Sequence, residues 1–285
     1  MIVELFFSAI GCCQDSSWSL TTEDRLKEMS RHGINSTHIR LGPFWDRNES
    51  KRKHAYLGYP GSPDLLHFNP EYWDYLDSIC TVADRLNITL EISLIDSWTF
   101  KHCEFSPWPD CGPWLKLNPP TSIQLLWLEQ IAKVTKNHKV KYEISNESFD
   151  SGGTLPMWEL AIAQYMKSLA PKVKIGSNSM NPDILSSSLI DYVNVHTQKC
   201  PENIYGKPLF VNEYPYEGYE DLDEYIQEQI IECYNKNVGF TYWRGNDDNT
   251  QWENMLRWMR DFRIKVDKGY HPIIINPEYL RQEIN

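Results

Sequence analysis

No apolar run in this sequence approaches the ~18 residues that a bilayer-spanning helix needs, so nothing in it reads as an integral membrane segment. Positive charge is the scarcer sign: 28 Lys and Arg stand against 39 Asp and Glu, a formal charge of −11. That field repels phosphate backbones and anionic lipid, and no Lys/Arg cluster overturns it locally, so no nucleic-acid or membrane partner is expected. Metal-binding templates are missing too: there is no CxxC pair and no HExxH, and neither a metal nor another cofactor is expected. Nucleotide-binding loops are missing in the same way, since neither GxGxxG nor GxxxxGK[ST] follows the first apolar run. The seven cysteines cannot all pair, which fits a reducing compartment or a mixture of bridges and free thiols. Cys103 and Cys111 share one Pro/Trp-rich loop; a bridge closing that loop and two unrelated thiols both stay open.

Residues 1–13 resemble a secretory apolar core only at first sight. Glu4 interrupts the run, no basic residues precede it and no small-residue cleavage site is clear, so a first strand is the better expectation. With no clear signal peptide, a cytoplasmic location or a sequence read without its signal remain, and the oligomeric state is unassigned.

What is present is the composition of an ordinary globular protein: 285 residues, 41% hydrophobic and 24% charged, without low-complexity stretches. The length is close to the ~250 residues of one barrel domain, and residues 1–285 are read as a single catalytic-type domain. Aromatics are abundant, with 11 Trp and 16 Tyr. Most of these rings belong to packing, but rigid amphipathic side chains also stack on the flat apolar faces of sugars.

Short β-rich runs alternate with helical patterns throughout, the signature of parallel strands joined by crossover helices. Strands are expected at 3–10, 37–42, 88–95, 140–145, 172–177, 191–196, 208–212 and 238–243. Helices are expected at 22–32, 70–86, 121–136, 155–169, 220–236 and 251–263, with a short connection around 182–189. Asn69 followed by Pro70 is a strong helix start, because proline lacks the N–H that would go unpaired there. Eight strands point to an α/β fold, a closed (β/α)8 TIM barrel, with an open flavodoxin-like sheet as the alternative. The long connections 43–69 and 96–120 follow strands 2 and 3 and are rich in Trp, Tyr, Pro and Gly. In a barrel such loops leave the C-terminal rim, where substrate clefts are built.

Two strands end in a glutamate: the fourth in Ile144-Ser145-Asn146-Glu147-Ser148, the seventh in Phe210-Val211-Asn212-Glu213-Tyr214. Barrel rims face a common cleft, so the two can converge although 66 positions apart. Glycoside cleavage needs such a pair, one carboxylic acid to protonate the leaving oxygen and a second group to stabilise or attack the oxocarbenium-like centre. Strand alternation resists one detail: Asn146 and Glu147 reach the same cleft only if the strand bulges or ends there. Glu91 and Glu143 also lie within strands and read as interior or wall charges with partners, with Glu143 the alternative to Glu147 as the catalytic residue.

On these residues the sequence resembles the retaining (β/α)8 glycoside hydrolases of clan A, most like the cellulase-like family 5. The resemblance implies Asn146-Glu147 as the Asn–acid/base pair closing strand 4, and Glu213 as the nucleophile closing strand 7. It also matches Arg40 to the arginine ending strand 2, His196 to the histidine near the end of strand 6 and Trp243 to the tryptophan ending strand 8. Departures are visible: Ser148 stands where proline usually follows Asn-Glu, His196-Thr197-Gln198 replaces His-x-Tyr, and Ile95-Asp96-Ser97-Trp98 lacks the usual histidine. These leave the sugar open.

The implied mechanism is double displacement on the β-glycosidic bond of a neutral oligo- or polysaccharide. Arg40 favours the ionised form of Glu213; that anion keeps the proton on Glu147 until the nucleophile is esterified, when Glu147 becomes the base. Asn146 is expected to bond the sugar 2-hydroxyl, His196 and Tyr214 to orient the glutamates or bind hydroxyls, and Trp243 to form an apolar platform. Trp45, Trp98 and Trp108 are candidates for outer subsites. A catalytically inactive carbohydrate-binding barrel is the rival from another class. A metal-dependent barrel hydrolase or deacetylase is disfavoured, because His196 and Asp96 are too few ligands.

Overall fold

The computed structural model describes residues 7–11, 23–41, 54–58, 64–96, 108, 119–148, 156–179, 181–197, 199–213, 222–244 and 249–268. Its strands are β1 (Phe7–Gly11), β2 (Ser36–Arg40), β3 (Tyr56–Leu57), β4 (Asp64–Phe68), β5 (Thr89–Asp96), β6 (Val140–Asn146), β7 (Lys174–Ser177), β8 (Tyr192–His196), β9 (Leu209–Glu213) and β10 (Gly239–Arg244). The helices are α1 (Glu23–Arg31), α2 (Pro70–Arg85), α3 (Ser122–Thr135), α4 (Pro156–Leu169), α5 (Pro182–Ser186), α6 (Leu222–Asn235) and α7 (Asn249–Asp267). Eight strands close into a barrel in the order β1-β10-β9-β8-β7-β6-β5-β2, every neighbouring pair parallel. The closed sheet disposes of the open-sheet alternative. The antiparallel pair β3–β4 is an addition that the sequence did not announce, inside the stretch 43–69 expected as loop.

Local chemistry explains where the helices start. Asn69 caps α2 by accepting from the Glu71 N–H at 3.2 Å, with Pro70 at the first position. Thr121 and Gln124 form a reciprocal capping box on α3: each side chain accepts from the other's backbone N–H, at 3.3 and 3.1 Å. Asn181 repeats the α2 arrangement for α5, accepting from the Asp183 N–H at 2.9 Å ahead of Pro182.

Alternation along the strands sorts side chains into two cores. One parity is apolar and meets the helices: Ile39, Leu90, Ile92, Leu94, Tyr142 and Ile144 are buried there. Trp127 of α3 donates to the Leu94 carbonyl at 2.8 Å, and Tyr142 shares a 2.8 Å hydrogen bond with Thr135 of the same helix. Trp127 centres an aromatic cluster with Tyr56, Phe68, Trp73 and Trp108. Trp108, expected as an outer subsite, belongs to this core instead. It is 2% exposed, lies edge-on to Trp127 and donates from Nε1 to the Tyr56 hydroxyl at 2.9 Å, so no ring face remains for a sugar.

The other parity fills the barrel, and it is polar. His38, Glu91, Glu143, Asn194 and Asn212 come from five strands yet contact one another, which only the interior permits. Barrel interiors are more often layered with Val, Ile and Leu. At one level of this interior the Lys141 ammonium sits over the rings of Phe210 and Tyr192, 4.0 and 4.6 Å from their centroids, while its Nζ reaches Glu91 at 3.3 Å. Glycines admit those rings: a Cβ on Gly176 would meet Tyr192 at 2.1 Å, and one on Gly239 would meet Phe210 at 2.1 Å.

Candidate active site

Glu147 is the first residue beyond β6 and adopts φ 53°, in the left-handed region that side chains with a Cβ avoid at a cost of about 1–2 kcal/mol. Such outliers concentrate at functional positions, where surrounding structure holds them. The turn ends the strand's alternation between Asn146 and Glu147, which removes the geometric objection to both serving one cleft. Asn146 is fully buried, with its backbone N–H donated to Ser93 Oγ at 3.1 Å, whereas the Glu147 side chain keeps 18% of its surface exposed.

Glu213 is the last residue of β9, and the backbone ahead of it is irregular. Val195 of β8 pairs with Val211, but the next residue, His196, pairs with Glu213, so Asn212 is the extra residue of a bulge. His196 therefore adjoins both strand ends. Its backbone is the register partner of Glu213, and its ring Nδ1 lies 3.9 Å from Glu147 Oε1.

Of the other expected residues, Arg40 is the half-buried last residue of β2, on the interior parity above His38, whose ring feels its charge. Trp243 lies in β10 with Ile10 as its backbone partner. The side chains of Glu213 and Trp243 lie outside the described residues, as do Tyr214, Trp45, Trp98, Cys103 and Cys111 altogether.

Beneath this rim is a cluster whose importance was only partly legible beforehand. Glu143 Oε1 accepts from Asn194 Nδ2 at 2.7 Å and from Asn212 Nδ2 at 2.8 Å, while Oε2 is 3.1 Å from His38 Nε2. Burial alone would push the Glu143 carboxyl up, but the His38 charge and hydrogen bond, the Asn194 amide and the nearby His196 outweigh it and bring it to about 2. His38 moves the other way: burial lowers it, and the carboxylates of Glu143 and Glu91 more than compensate, so it titrates above its ordinary value. The pair is an ion pair inside the barrel. Asn194 Nδ2 also reaches Glu91 Oε1 at 2.7 Å, joining this pair to the Lys141–Glu91 pair. The expectation that Glu91 and Glu143 are partnered interior charges therefore holds. No motif marks Asn194 or Asn212; their one signal in the sequence is a polar residue within an otherwise apolar strand. Asn178, just past β7, is buried with neither amide atom hydrogen-bonded among the described residues, and nothing in the sequence marked it.

No protein-family model matches the chain, and no curated protein matches it in sequence. Solved structures do match in fold. An endo-β-1,4-mannanase from Thermotoga petrophila superposes over 90% of this chain and 76% of its own, with a TM-score of 0.67 at 14% identity. The likeness is one of fold. A family 5 glycoside hydrolase, a mannosidase from Rhizomucor miehei, covers 93% of this chain and 94% of its own with a TM-score of 0.65, also at 14% identity. A β-1,4-D-mannanase from Cryptopygus antarcticus covers 90% of each chain with a TM-score of 0.54 at 12% identity. The barrel expected from the sequence is thus the fold that these glycoside hydrolases share. Among the described residues no group of His, Cys, Asp or Glu is arranged to hold a metal ion.

Proposed function

We propose that this chain is a retaining glycoside hydrolase that cleaves β-linked neutral polysaccharide, with Glu147 as acid/base and Glu213 as nucleophile in one catalytic domain. The observation that carries the proposal is the position of His196, register partner of Glu213 and 3.9 Å from the Glu147 carboxylate. That position brings two strand-end glutamates to neighbouring points of one barrel rim, and a double displacement uses two carboxyl groups facing one sugar.

In the first step Glu147 gives its proton to the glycosidic oxygen as that bond breaks, and Glu213 Oε forms the bond to the anomeric carbon on the opposite face. In the second step Glu147 takes a proton from water, whose oxygen displaces Glu213 and restores the original configuration. Retention needs the two carboxyl groups about 5–5.5 Å apart, with no room for a water between nucleophile and sugar. Arg40 and His196 supply positive or donor groups near the pair, Asn146 serves the 2-hydroxyl, and Tyr214, Trp243, Trp45 and Trp98 line the sugar path.

β-1,4-Mannan is the first substrate to try, because several structural neighbours are named mannanases or mannosidases, one of them solved in complex with mannosyl-fructose. Proton NMR of the first products from manno-oligosaccharides tests the reading: the β-anomer should appear before mutarotation produces the α-anomer. Initial release of the α-anomer contradicts retention. Saturable binding without turnover across mannan, glucan and xylan favours the inactive carbohydrate-binding barrel.

A further inference from the structure

The interior ion pair does more than fill the barrel. Glu143 lies four residues before Glu147 on β6, and its Oε1 holds Asn212, the residue immediately before Glu213 on β9. These strands are not neighbours; β7 and β8 stand between them. One fully buried carboxylate therefore ties the two glutamate-bearing strands directly, side chain to side chain, below the rim.

The residue it holds is not an ordinary one. Asn212 is the extra residue of the β8–β9 bulge, and a bulge leaves one residue unpaired and free to re-aim its neighbours. The 2.8 Å bond from Asn212 Nδ2 fixes that residue inward, and Asn194 from β8, on the same oxygen at 2.7 Å, fixes the strand opposite the bulge. A carboxylate accepting several N–H groups binds them more strongly than a neutral acceptor does. His38 at 3.1 Å on the other oxygen supplies the counter-charge that lets an anion remain there. His196 is two residues beyond Asn194 and so on the same face of β8 as the amide that bonds Glu143; its Nδ1 lies 3.9 Å from Glu147 Oε1, and its charge acts on Glu143.

We propose that Glu143 is a positioning residue for the glutamate pair, acting on Glu213 through Asn212 and on Glu147 through His196. This rests on the hydrolase reading above. Among the described residues, the charged and titratable groups facing the cluster are His38 and Arg40 from β2, Glu91 from β5, Lys141 and Glu143 from β6, and Tyr192 and His196 from β8, with Glu147 at the rim. Removing the Glu143 charge while keeping its shape separates a positioning role from simple filling of space.

Glu143→Gln retains the Oε1 acceptor and the volume but not the anion. Histidine ring proton NMR should show His196 titrating at lower pH in this variant than in the wild type, a readout that needs no substrate. On β-1,4-mannan, kcat should fall by about 10²-fold, the scale of a sub-ångström to ångström misplacement, with KM changed little. Asn212→Ser, which leaves the His38–Glu143 pair intact, serves as the second variant should Glu143→Gln fail to fold. It should speed amide exchange at His196 and Glu213 and lower kcat without moving the His196 titration. An unchanged His196 titration in folded Glu143→Gln overturns the proposal, as does Asn212→Ser with wild-type exchange at the bulge. A shifted His196 in Glu143→Gln, with a wild type that turns over no glycan, supports the positioning role and counts against the hydrolase reading instead.

Discussion

His196 Nδ1 lies 3.9 Å from Glu147 Oε1, and the His196 backbone is in register with Glu213. If Glu147 is the acid/base, its loss should be felt unequally by the two chemical steps. With an activated aryl β-mannoside, Glu147→Ala should still form the glycosyl-enzyme quickly, since the leaving group needs no proton, and then hydrolyse it slowly. Added azide should restore turnover and yield the β-mannosyl azide. Glu213→Ala should give the α-azide or nothing, and β-azide from both variants contradicts the assignment.

The interior ion pair makes stability depend on pH in two windows. Glu143 is depressed on folding, so its contribution is present above the unfolded value of about 4.3 and is lost as pH falls towards about 2. His38 is raised on folding, so its contribution is present below about 6.5 and is lost as pH rises through its folded value. Lys141 has the opposite sign: burial lowers it, so its charge costs stability until pH rises through that lowered value, offsetting part of the alkaline loss. The difference in melting temperature between wild type and His38→Gln should therefore shrink from pH 6 to pH 9. A constant difference across that range would show that His38 is not charged in the fold.

Space inside the barrel is equally specific. An alanine at Gly239 places its Cβ 2.1 Å from Phe210 Cδ1, and one at Gly176 places it 2.1 Å from Tyr192 Cε2. Neither ring can retreat cheaply, because Lys141 sits over both. Each substitution should cost at least the 1–3 kcal/mol typical of overpacking, about that much in urea unfolding. The paired change Gly239→Ala with Phe210→Leu should recover part of it.

Trp108 separates core from subsite. Its burial against Trp127 and its bond to Tyr56 predict that Trp108→Ala loses about 3–5 kcal/mol of stability while KM for mannan is unchanged in the folded fraction. A raised KM at unchanged stability would return this ring to the substrate path.

Much of the barrel was legible because its signals are local. The Asn69-Pro70 start, the strand runs at 140–145 and 208–212 and the glutamates that follow them all depend on neighbouring residues, and the structure places each element within a few residues of expectation. The β3–β4 pair was not legible, because a two-residue strand carries no periodicity. Trp108 misled for a different reason: aromatic character alone does not say which face of a loop meets the core. The clamp on Glu143 was hidden because its partners Asn194 and Asn212 lie 51 and 69 positions away, and only closure of the sheet brings them together. The bulge at Asn212 was hidden as well, because it is set by the register of β9 against β8 and not by local sequence.

Covalent trapping is the most direct measurement. The protein would be incubated with 2-deoxy-2-fluoro-glycosyl fluorides of manno and gluco configuration, followed by intact mass and peptide mapping. One added fluorosugar on the peptide carrying Glu213, absent in Glu213→Gln, is the predicted result. An adduct on another residue, or none with a protein that visibly cleaves mannan, would contradict it.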